Sequence, residues 1–80
     1  MSKRLTEFTE RFRILYWAEN CNEKELGRCF RCDPIMIRRW RAGESFPNIY
    51  TLTQICKHFN VSADWLLGLS VEKRPPKKVK

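Results

Sequence analysis

Nine residues, Pro34 to Ala42, sit between the hardest start and stop signals in the chain. Asp33 can cap a helix, and Pro34 at the first helical position lacks only an N–H that would have no intrahelical partner. Gly43 ends the helix. So short a helix is stable only when neighbours pack on it. The residues on either side are written for that purpose.

Upstream, Asn22 can cap a helix, with Glu25 three residues on as the partner in a capping box. Leu26, Cys29 and Phe30 form its apolar face, and it ends near Arg31 and Cys32. Before it, Leu5, Phe8, Phe12 and Leu15 recur at three- and four-residue steps, the pattern of an amphipathic helix over about 5–19. Downstream, Glu44 to Pro47 reads as a loop. Asn48 caps a fourth helix with an apolar face of Leu52, Ile55, Cys56 and Phe59. Ser62 caps a short fifth helix, Ala63 to Leu67, ended by Gly68. The expected fold is all-α: a compact domain of five helices over residues 1–69, then a flexible tail over 70–80. From Glu72 onward charge and proline replace any apolar pattern, which predicts disorder. The second and third helices, joined by a turn of two or three residues, form a helix-turn-helix pair.

Charge narrows the partner. The 80 residues carry 16 Lys plus Arg against 9 Asp plus Glu, a formal net charge of +7. Such a surplus favours polyanions. Arg28, Arg31, Arg38, Arg39 and Arg41 all fall between Glu25 and Glu44, where Asp33 is the only acid. Lys73 to Lys80 adds five cations and no acid; this stretch reads as an arm that follows DNA or as a solubiliser. No apolar run could span a bilayer, and the N-terminus lacks a signal-peptide pattern. The expectation is a soluble cytoplasmic protein, associated with the nucleoid, with its four cysteines free.

Helical geometry assigns faces to the helix at 34–42. With about 100° per residue, Ile37 and Trp40 point to the core. Ile35, Arg38, Arg39 and Ala42 point away, and Pro34 and Met36 lie on the flanks. Arginine can donate two hydrogen bonds to guanine in the major groove of duplex DNA, and an apolar side chain can touch the thymine methyl. The plain alternative is that the arginines merely solvate an exposed face.

Residues 8 to 68 resemble the Cro/CI-type (xenobiotic-response-element, lambda-repressor-like) helix-turn-helix domain. The residues that carry the likeness are Phe12 and Leu15, then Asn22-Glu23-Lys24-Glu25-Leu26, then Ile37-Arg38-Arg39-Trp40-Arg41-Ala42-Gly43 and Pro47. Leu52, Ile55 and Cys56 follow. The run Phe59-Asn60-Val61-Ser62-Ala63-Asp64-Trp65-Leu66-Leu67-Gly68 is the most specific part. The resemblance implies a DNA-binding transcriptional regulator, most simply a repressor, acting as a homodimer on a pseudo-palindromic operator. Base contacts would come from Pro34, Ile35, Met36 and Arg39. Phosphate contacts would come from Asn22, Glu23, Ser45 and Asn48. The chain departs from the family in five places. Glu23 stands where glutamine is common, Gly27 where a small alanine is usual, Arg31 where the turn usually has glycine, Tyr16 where helix 1 often has a phosphate-reaching arginine, and the apolar trio Pro34, Ile35 and Met36 where the family often has polar readers.

Cys29-x-x-Cys32 suggests metal or thiol chemistry, but a zinc site needs four suitably spaced ligands. The helical pattern places Cys29, Cys32 and Cys56 in the core, as small hydrophobes. No cofactor, metal or small-molecule substrate is expected. His58 is expected at the surface, and nothing in the sequence forms a catalytic set. The competing reading is a protein-interaction module, an antitoxin or an inhibitor of a host protein on the same scaffold. The fifth helix, with Trp65, Leu66 and Leu69, is the candidate dimer surface; the same residues could equally close the monomer core.

Overall fold

The computed structural model describes residues 3–74, with side chains from Thr6 onward. Among the described residues there are five helices and no strand. They are α1 (Lys3–Ala18), α2 (Glu23–Phe30), α3 (Pro34–Ala42), α4 (Ile49–Phe59) and α5 (Ala63–Leu66). The side chain of Leu5 lies outside the described set.

The four caps read from the sequence are made. Asn22 Oδ1 accepts from Glu25 N–H and Asn48 Oδ1 from Thr51 N–H, both at 2.8 Å. Asp33 Oδ1 accepts from Ile35 N–H at 2.9 Å, and Ser62 Oγ from Trp65 N–H at 3.3 Å. Each satisfies a donor that the helix itself cannot. At the other ends the backbone turns left-handed at Asn20, Arg31, Gly43, Asn60 and Gly68. Glycine and asparagine tolerate that region best. Arg31, at φ 57° and ψ 48°, is the exception.

Phe8, Phe12, Leu15 and Tyr16 form the buried stripe of α1. Phe8 stacks on Phe12, and Phe12 meets the edge of Trp40 at 6.0 Å between ring centres. Leu26 and Phe30 come from α2, Ile37 and Trp40 from α3, Ile55 and Phe59 from α4, and Trp65 and Leu66 from α5. α1 packs on α3 and α5, α2 on α3 and α4, and α4 on α5. The framework that presents α3 is therefore tied to every other helix directly or through one neighbour.

The structure changes three expectations. Cys29 is exposed, although Cys32 and Cys56 pack against the core. α2 shows the core a narrow stripe of Leu26 and Phe30, and Cys29, one residue before Phe30, turns past its edge. Trp65 and Leu66 close the monomer core, so only the exposed Leu69 remains of the proposed dimer surface. The segment after α5 is held to the domain as far as Arg74. Ser62 N–H donates to the Lys73 carbonyl at 2.8 Å, and the Arg74 guanidinium donates to the Asn60 carbonyl at 2.9 Å. Lys73 also sits 5.4 Å over the Trp65 ring, a favourable cation–π distance. The rest of the expected tail, 75–80, lies outside the described residues.

Candidate nucleic-acid interface

The geometry of the unit is set at the turn between α2 and α3. The missing side chain of Gly27 is the controlling feature: a Cβ built there would lie 2.8 Å from the Cys32 carbonyl oxygen. The bare glycine lets the turn fold back against α2. Cys32 N–H then donates to the Gly27 carbonyl at 2.8 Å, and the chain enters α3 at once. α2, this turn and α3 form a helix-turn-helix.

Within α3 the two faces separate as helical geometry requires. Ile37 is wholly buried and Trp40 is 2% exposed. Pro34, Ile35, Arg38, Arg39 and Ala42 are all exposed. Met36 is half-buried and packs against the core, so it offers only part of its surface to a partner. Arg28 on α2 and Arg31 in the turn are exposed as well.

The residues expected at the rim are less uniform. Asn22 and Asn48 are exposed, but each commits its side-chain oxygen to a cap. Each amide NH2 is the group left to face an anion. The Ser45 hydroxyl is buried and has no hydrogen-bond partner among the described residues, which corrects the expectation that it reaches a phosphate. The loop packs there: neighbouring Phe46 lies edge-on to Phe8 and joins the core, carrying Ser45 inward.

Glu23 is the residue whose surroundings sequence patterning could not supply. Its carboxylate pairs with the Arg41 guanidinium and lies 3.6 Å from Arg38. It is the first residue of α2, so it also meets the positive end of that helix. Arg41 lies over the Tyr16 ring at 4.4 Å and nearer than 6 Å to the Trp17 ring, at 5.5 Å. Tyr16 is buried, and burial raises its phenol pKa, with Arg41 opposing the rise. Tyr16 therefore serves as a floor for Arg41. Arg13 completes the group by donating from Nε to the Arg41 carbonyl at 2.9 Å. Arg13, Trp17, Arg38, Arg41 and Ala42 line an open pocket of about 320 Å³ where α1 meets the end of α3. The signal in the sequence was the pair Glu23 and Arg41, but they are 18 residues apart and nothing local links them.

No helix among the described residues is long and apolar enough to cross a membrane. His58 is exposed late in α4, edge-on to Phe30 and Phe59. No family model matches the chain, and no solved structure matches it. Over 62 residues the chain is 31% identical to the HTH-type transcriptional activator BcrR of Enterococcus faecalis. That alignment covers 78% of this chain and 30% of the activator, so the chain spans less than a third of the relative it matches. The chain is an all-α helix-turn-helix domain, similar over most of its length to part of a transcriptional activator.

Proposed function

We propose that this chain is the DNA-binding domain of a transcriptional regulator and that α3 enters the major groove. The observation that carries the reading is the division of α3. Ile37 and Trp40 lock it into the core, while Arg38, Arg39, Ile35 and Ala42 stand clear on the other side. The net charge of +7 and the likeness to a transcriptional activator support the same reading. Arg39 reads guanine, and Pro34, Ile35 and the exposed part of Met36 make apolar contacts with base edges. Arg28, Arg31 and the amide groups of Asn22 and Asn48 hold the backbone. Whether the outcome is repression or activation depends on where the site lies relative to a promoter, and the similar protein is an activator.

The test is selection of bound duplexes from a random pool, followed by anisotropy titrations of the wild type and Arg39→Ala. A bidentate arginine–guanine contact discriminates by about 1–3 kcal/mol. The wild type should enrich a defined motif, and Arg39→Ala should lose preference at one position. A palindromic motif indicates two copies on the site. No retention of duplex at low or moderate salt refutes DNA binding. That result would favour a protein-interaction module, a reading supported by Ile49 and Tyr50, which are 83% and 67% exposed at the start of α4.

A further inference from the structure

We infer that Glu23 is an intramolecular brake on DNA affinity: its carboxylate holds, in the free protein, the guanidinium groups that a backbone phosphate would otherwise engage. The inference rests on the DNA-binding reading and specifies how strongly the site is charged.

Three observations lead to it. The pocket between α1 and α3 brings together Arg13, Arg38 and Arg41 beside an exposed indole, Trp17. It opens next to Arg38 and Ala42, on the same side of α3 as the proposed reading face. A carboxylate already lies against two of those cations. The two ion pairs also differ in kind. Arg41 and Glu23 are each about four-fifths buried, and Arg41 is steadied by Tyr16 and Trp17. Arg38 is 63% exposed and 3.6 Å away. An exposed pair of that sort is weak and readily exchanged. A phosphate oxygen offers the same acceptor chemistry as a carboxylate oxygen, and it suits a helix N-terminus equally well. Glu23 therefore stands where phosphate would approach both α2 and Arg38. Exchange releases Arg38 to the duplex but leaves the Glu23 charge nearby, opposing the incoming backbone.

The consequence can be stated as a salt dependence. Each phosphate engaged contributes about 0.9 to the slope of log K against log salt. Freeing one cation should steepen the slope by about that amount. At 0.1 M salt it should tighten binding by roughly eightfold relative to a 1 M reference.

The experiment titrates a fluorescent duplex with the full chain over a range of salt, using wild type, Glu23→Gln and Glu25→Gln. Glu25→Gln removes the same charge two residues away. Circular dichroism and thermal melts confirm that each variant is folded. Arg38→Ala is measured in the wild-type and Glu23→Gln backgrounds. Tighter binding and a steeper slope for Glu23→Gln, beyond those of Glu25→Gln, support the brake. A greater loss from Arg38→Ala in the Glu23→Gln background also supports it. Equal effects of the two glutamine variants, or unchanged or weaker binding by Glu23→Gln, overturn it while leaving DNA binding intact. If Glu23→Gln binds and the wild type does not, the brake stands and the wild type is not a DNA-binding protein under these conditions. If neither binds, both readings fail.

Discussion

Replacing Arg31 with glycine should make this protein more stable and bind DNA less tightly. Arg31 ends α2 at φ 57°, ψ 48°, in the left-handed region. A residue with a Cβ spends about 1–2 kcal/mol to occupy it. Glycine removes that cost but gains backbone freedom in the unfolded chain, an opposing effect of about 0.5–1 kcal/mol. The side chain is exposed. The hydrogen bonds at this turn come from backbone N–H groups, those of Arg31 and Cys32, which glycine keeps. The net gain should be about 0.5–1 kcal/mol, or roughly 2–8 °C in Tm for a domain of this size. Arg31→Ala is the control, because alanine keeps the strain and removes the charge. Urea denaturation and thermal melts should place Arg31→Ala close to wild type and Arg31→Gly above both. In duplex titrations both variants should lower the salt slope by about 0.9 if Arg31 engages one phosphate. Equal stability of the glycine and alanine variants would refute the strain argument, whatever the DNA result.

Ile37 is wholly buried on the inner face of α3, and Ile37→Ala should cost about 2–5 kcal/mol in urea unfolding. Asn48→Ala removes the cap on Thr51 N–H and should cost about 1 kcal/mol by the same measurement. Cys29 is the exposed thiol, so a disulfide exchange reagent should modify it first, identified by peptide mass. Burial raises the thiol pKa of Cys21, Cys32 and Cys56 above their ordinary 9.0. The unfolded chain then releases those protons at lower pH than the folded one. The stability they contribute is present below about pH 9 and should fall as pH rises through the folded values. Stability that rises with pH above 9, measured by urea unfolding, would contradict this sign.

The helices were legible because their signals are local. Asn22, Asp33-Pro34, Asn48 and Ser62 cap within three residues of themselves, so a linear pattern suffices to find them. Ile37 and Trp40 separate from Arg38 and Arg39 by helical period alone, and that separation is the candidate interface. Cys29 was misplaced because a periodic pattern marks a face but not its width, and the width depends on how closely α2 approaches its neighbours. Trp65 and Leu66 were ambiguous for a related reason: an apolar face looks the same whether it covers its own core or a second chain. Ser45 turned inward with the loop that Phe46 anchors. Which arginines pair with Glu23 was not legible, since charges far apart in the chain meet only when α2 and α3 cross. Short-range chemistry thus wrote the helices and the side of α3 that faces outward. The charge that side presents depends on which groups folding brings within ion-pair distance, and no local rule specifies that.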